Sequence, residues 1–110
     1  MKAQAGFLLI CFMLLLPACG KKAIFVDAGF IGVWSGNDGT STYHLSIDNH
    51  SEGYWDKDTN GHFESAQGVA RVNNGELHIG LKRFVIDELP IVDTSTNVWT
   101  MILAGVTYTR

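Results

Sequence analysis

Cysteine is nearly missing from this chain: Cys11 and Cys19 are the two among 110 residues, and both lie close to the start. No disulfide framework and no cysteine metal site can therefore organise the chain beyond residue 19. Basic residues are also scarce, with eight Lys and Arg against eleven Asp and Glu and a formal net charge of -3. That balance argues against nucleic acid as a partner, because phosphates demand clustered Lys and Arg. Past residue 22 no segment carries an apolar i, i+3, i+4, i+7 stripe, so amphipathic helices are not expected. Low-complexity tracts are missing, and nothing repeats beyond the recurrence of short strand-like runs.

The one continuous apolar run is at the front. Lys2 supplies a positive n-region, and Gly6 to Leu16 is an uncharged h-region of the length of a secretory signal. A spanning helix needs about 20 apolar residues to cross a hydrocarbon core of roughly 30 Å, and this run is shorter. Leu16-Pro17-Ala18-Cys19 then resembles the lipobox of bacterial lipoproteins, with leucine first, a small residue before the cysteine, and Pro17 where a small or branched residue is usual. The resemblance implies cleavage after Ala18, residues 1–18 being the signal, and fatty acyl chains attached at Cys19. The alternative is an ordinary signal peptide cut near Ala18 that leaves Cys19 a free thiol. Two or three acyl chains hold a protein on a bilayer where one does not, at about 0.8 kcal/mol per buried methylene.

Removal of residues 1–18 leaves 92 of the 110 residues, enough for one domain with one modest core. The signal takes one lysine and no acid with it, so the formal net charge moves from -3 to -4. Residues 19–29 read as a lipidated tether in which Lys21 and Lys22 meet the membrane surface. Gly20 after the cysteine is not the aspartate that retains enterobacterial lipoproteins in the inner membrane, which favours the outer membrane of a bacterial cell envelope.

Residues 30–110 read as the folded domain. Aromatic residues are abundant there, including Trp34, Trp55, Trp99, Tyr43, Tyr54, Tyr108, Phe30, Phe63 and Phe84, and β-branched residues surround them. This composition predicts an all-β fold. In the second expected strand Tyr43, Leu45 and Ile47 alternate with Thr42, His44 and Ser46, the period-2 signature of a half-buried strand. The first strand is placed at Phe30 to Gly36, a loop at Asp48 to Gly53, a third strand from Tyr54 to a turn at Asp58 to Gly61, and a fourth at Phe63 to Val72 bent at Gly68. Asn74-Gly75 is the strongest hairpin signal, since both residues tolerate positive φ. Short strands come next at Leu77 to Ile79 and Lys82 to Ile86. Asp87 to Pro90 is expected to stop the sixth, Ile91 to Asn97 to form a polar loop, and Ala104-Gly105 to join the last two strands. About eight short antiparallel strands in sequence predict a small up-and-down barrel, an arrangement without exposed sheet edges.

Tyr43, Leu45, Trp55, Phe84, Trp99 and Met101 are expected to face the barrel interior. They either fill it or line room for one small apolar ligand, as eight strands permit. Filling is favoured, because a domain without disulfides depends on packing. Asp56 to Gln67 follows the calcium loop of an EF-hand in its oxygens at Asp56, Asp58 and Asn60 and its glycine at the sixth position, and Glu64 adds a further carboxylate. Gln67 stands where the bidentate glutamate belongs, and strands rather than helices flank the loop, so the competing reading is a hairpin rich in turn formers. His44, His50, His62 and His78 show neither H-x-H nor H-E-x-x-H spacing, and no serine has a G-x-S-x-G context. No catalytic residue and no cofactor is expected.

Gly32-Val33-Trp34 on the first strand resembles the G-x-W signature of lipocalins. The resemblance implies that Trp34 plugs one barrel end and that a late basic residue packs across it, Arg110 first and Arg83 second. The runs Leu77 to Gly80, Phe84 to Pro90, Trp99 to Met101 and Gly105 to Tyr108 resemble small lipocalin-like lipoproteins of bacterial envelopes. What this implies is a fold and an address, with a non-catalytic binding role toward a partner protein or a small apolar ligand. A calcium-binding protein and a purely structural envelope component are the alternatives.

Overall fold

The computed structural model describes residues 26–110. They form a closed barrel of eight antiparallel strands in up-and-down order, each paired with its sequence neighbours, and β1 closing on β8. The strands are β1 (Gly32–Asn37), β2 (Thr42–Ile47), β3 (Glu52–Thr59), β4 (His62–Asn73), β5 (Glu76–Ile79), β6 (Lys82–Asp93), β7 (Val98–Leu103) and β8 (Val106–Thr109). A single 3₁₀ turn, Ala28–Phe30, precedes them. The expected all-β barrel is thus the fold of the described residues, and closure leaves no long free edge.

Local sequence explains most of the connections. Asn60-Gly61, Asn74-Gly75 and Ala104-Gly105 each place two consecutive residues at positive φ, the backbone that matches strand twist in two-residue hairpins. Ala104 is the unusual member, and its turn is pinned by neighbours: Gly105 N donates to Asp87 Oδ2 at 2.7 Å and Ala104 N to the Val85 carbonyl at 2.8 Å. Asp48 shapes the β2–β3 turn by accepting from the backbone N–H of His50 and Glu52. β4 pairs with β3 as far as Val69 and with β5 from Ala70 onward. The corner falls at Gly68, with φ +151 and Gly80 so close that a Cβ would sit 2.7 Å from the Gly80 Cα.

Three expectations need correction. β6 does not stop at Asp87 to Pro90 but continues to Asp93, and Ile91 to Asp93 pair with Thr100 to Val98 instead of forming a loop. The register slips between Ile86 and Glu88 and again between Glu88 and Ile91. Pro90, which has no N–H to give, falls within that irregular ladder and so costs no regular bond. β3 begins at Glu52, so the expected loop of residues 48–53 is shorter. β1 begins at Gly32, because Phe30 belongs to the 3₁₀ turn. Packing reaches back before residue 30, since Val26 is only 6% exposed and joins the core.

Alternation sorts the side chains. Trp34, Leu45, Trp55, Leu77, Ile79, Phe84, Met101 and Tyr108 point inward and are buried. Outward rows such as Ser35, His44, Asp56 and Ser65, adjacent by register across β1 to β4, are polar. A membrane-spanning barrel is built the other way round, with an apolar band outside. Among the described residues no helix is long and apolar enough to cross a bilayer. Among the described residues the core runs from Val26 to Tyr108 and draws on the strands and on the turn before them.

Candidate functional site

The barrel has two unlike ends. At one, Trp34 is fully buried and its Nε1 donates to the Phe30 carbonyl at 2.9 Å, so the 3₁₀ turn is tied across the opening. The Arg110 guanidinium carbon lies 5.0 Å from the Trp34 ring centroid and 4.6 Å from that of Trp99. Its Nη2 donates to the Gly29 carbonyl at 3.1 Å. Gly32 makes this possible: a Cβ there would stand 2.7 Å from Arg110 Cδ. Gly29 lies beside Pro90 and Trp99, whose nearest atoms are each 3.4 Å from where its Cβ would be, an ordinary contact. This end is closed by packing and by a cation held between two indole faces. Arg83, the second candidate for that place, borders the other end instead.

At that other end, among the turns β1–β2, β3–β4, β5–β6 and β7–β8, the barrel opens into a recess of about 200 Å³. Tyr43, Trp55, Phe84 and Tyr108 form its floor and walls. The Trp55 and Phe84 rings meet edge to face at 5.2 Å, and Tyr43 meets Tyr108 at 5.9 Å in the same way. Trp55 Nε1 donates to the Tyr108 hydroxyl at 3.0 Å, joining β3 to β8 through the interior. Burial pushes the Tyr108 hydroxyl up to about 12. The Tyr43 hydroxyl donates to Asp38 Oδ2 at 2.7 Å. That bond, with the Ser41 and Thr40 backbone N–H groups on the other carboxyl oxygen, lowers Asp38 to about 2.

Charged side chains ring the aromatic floor. Lys82 Nζ lies 4.8 Å from the Trp55 centroid and 5.9 Å from that of Phe84, and it pairs with Glu64 Oε2 at 2.8 Å. The Lys82 hydrogen bond holds the Glu64 carboxyl below its ordinary value. Lys57 Nζ is 5.7 Å from the Tyr43 centroid. The rim thus presents Lys57, Lys82 and Arg83 against Glu64.

Of the expected interior residues, the structure brings Tyr43, Trp55 and Phe84 together at the recess. Met101 is fully buried in the core away from its lining, and Trp99 belongs to the closed end, beside Gly29 and Arg110. The expectation of a filled interior holds for the closed end and the middle, while the mouth keeps the recess. The calcium candidates are not brought together. Glu64 pairs by register with Lys57, on the face of the hairpin that bears the recess, whereas Asp56 and Asp58 alternate to the other face. Asp56 Oδ1 is 3.0 Å from His44 Nδ1, Asp58 Oδ1 accepts from Gly61 N, and Asn60 carries the positive φ of the turn. Among the described residues no three His, Cys, Asp or Glu are placed to hold a metal ion. The hairpin reading of this stretch is the one that its geometry follows.

Sequence reasoning passed over Lys57, Lys82 and Tyr108 as site residues. Each was accessible to period-2 counting: Lys57 stands two residues after Trp55 and Lys82 two before Phe84, on the same inward faces. Cys19 lies outside the described residues. A small closed up-and-down barrel with one sealed end and one aromatic, cation-rimmed mouth is what fold and site define. No family model, no curated protein and no solved structure matches the chain.

Proposed function

We propose that this chain is a lipid-anchored protein of the bacterial envelope, acylated at Cys19, whose lipocalin-like barrel binds a small molecule at its mouth and has no catalytic role. The observation that carries the binding role is the recess: about 200 Å³ open above a floor of packed aromatic rings and rimmed by Lys57, Glu64, Lys82 and Arg83. An aromatic floor with convergent charged groups at its rim combines the apolar and orienting elements of a small-molecule site. The lipobox-like Leu16 to Cys19 supports the anchor, and the Gly32, Trp34 and Arg110 closure supports the lipocalin likeness. Gly20 after the cysteine favours the outer membrane.

Catalysis is disfavoured by the state of the polar groups. Glu64 is occupied by Lys82, Asp38 by Tyr43 and two backbone N–H groups, and Tyr108 by the Trp55 N–H, so these polar groups are engaged in holding the mouth together. A partner protein is the second reading. It is favoured by Phe63, 74% exposed beside the β3–β4 turn, and Leu81, fully exposed on the β5–β6 turn next to Lys82.

Three measurements test the proposal. Mass spectrometry of the protein from cells is expected to show cleavage before Cys19 with acyl chains added, and Cys19→Ser to release it from the membrane fraction. Unchanged fractionation of Cys19→Ser refutes the anchor. Native mass spectrometry of residues 20–110 is expected to show a retained small molecule, lost in Trp55→Ala.

A further inference from the structure

The recess carries information about its occupant beyond size. Lys57, Lys82 and Arg83 border it, and Glu64 is the one carboxylate in its lining. Glu64 is already paired with Lys82 at 2.8 Å, while Lys57 makes no ion pair among the described residues. Asp38, the next acid on this side, is occupied by the Tyr43 hydroxyl and two backbone N–H groups. A cationic guest therefore meets repulsion. A neutral apolar guest fares little better, because Lys82 Nζ lies over the faces of Trp55 and Phe84 that such a guest would have to cover. Moving that ammonium aside for nothing charged forfeits its place over the rings with no contact in return.

An anion reverses this balance. Lysine offers three donors, and Glu64 takes only one of them. The ammonium can swing toward a guest anion and uncover the Trp55 and Phe84 faces in the same motion. The pair is available for exchange because both partners are solvent-accessible, and exposed pairs are weakly held.

We propose that the ligand of the mouth is a small flat acid, a one- or two-ring aromatic carboxylate being the simplest form. It binds with its rings over the Trp55 and Phe84 floor where Lys82 now lies, and its carboxylate takes the place of Glu64 on Lys82, with Lys57 as second cation. This rests on the reading of the recess as a binding site and adds the charge of the guest. Guest and Glu64 compete for one ammonium, so removing the Glu64 charge strengthens binding.

The test uses residues 20–110, first shown by circular dichroism and cooperative urea unfolding to be folded, and a matched pair of probes, 2-naphthoate and 2-naphthamide, which share shape and differ in charge. Isothermal titration is expected to give the carboxylate at least ~10-fold tighter binding than the amide, the scale of one charge-assisted contact. Glu64→Gln is expected to tighten naphthoate several-fold without changing naphthamide. Lys82→Gln is expected to abolish the preference and Lys82→Arg to retain it, with circular dichroism confirming that each variant is folded. Rising salt should weaken naphthoate alone. Equal or tighter binding of naphthamide overturns the anionic assignment and leaves the recess standing as a site. Binding of neither probe to the folded domain overturns both.

Discussion

Both ends of this barrel lay a cation on aromatic rings, and the two contacts do opposite things. At the sealed end Arg110 lies between Trp34 and Trp99, donates to the Gly29 carbonyl, and is reached through the space that Gly32 leaves free. Among the described residues no carboxylate pairs with it, and the ring of Trp34 against which it lies is fully buried. At the mouth Lys82 lies over Trp55 and Phe84 with an exposed glutamate for company. Planar, weakly hydrated guanidinium suits permanent stacking, and a flexible, hydrated ammonium suits exchange. The same physical contact is a lock where the cation lies between two indoles and bonds a backbone carbonyl, and a latch where it pairs with an exposed glutamate.

That contrast can be broken most forcefully at the lock. Trp34→Ala removes a fully buried indole, the Phe30 tie and one face of the Arg110 stack, and should cost about 3–5 kcal/mol in urea unfolding. Gly32→Ala puts a methyl against Arg110 Cδ at a φ that L residues rarely adopt, and should cost roughly 2–3 kcal/mol by the same measurement. If Gly32→Ala were neutral, Arg110 would not be confined as described. Tyr108→Phe, between the two ends, leaves the buried Trp55 N–H without its acceptor and should cost about 1–3 kcal/mol.

The pH dependence sharpens the comparison from the mouth side. Tyr108 titrates at about 12 in the fold against 10 in its unperturbed state, so stability is intact below pH 10 and falls as pH rises through 12. Tyr108→Phe should remove that component of the alkaline loss. Asp38 titrates at about 2 in the fold, so its contribution is present above the ordinary carboxylate range and is lost as pH falls through 2. Smallest of all, Lys82→Gln should change unfolding by only ~0–1 kcal/mol, since both it and Glu64 face solvent. A large loss there would make the mouth pair structural after all and erase the distinction between lock and latch.

Much of the architecture could be read along the chain because its causes are local. Asn74-Gly75 turns because both residues accept positive φ, and Tyr43, Leu45 and Ile47 face inward because strand side chains alternate. β6 could not be read this way. Its passage through Pro90 depends on two register slips against β7, and a slip exists only once the partner strand is in place. The mouth was legible in part: the aromatic members stand out by residue type, whereas Lys57 and Lys82 look like ordinary surface charges until alternation is counted from Trp55 and Phe84. Trp99 shows the limit of that counting, since it points inward yet belongs to the sealed end.

Strand content, hairpin turns and the apolar faces were written in residue order, because each arises from φ preferences and a two-residue period acting over a few positions. The pairing of Lys82 with Glu64, eighteen residues apart, and of Trp55 with Tyr108, fifty-three apart, came only with the closed barrel. Closure sets how far each strand is displaced along its neighbours, and that displacement places Lys82 over the floor of the open end and Arg110 in the seal of the other.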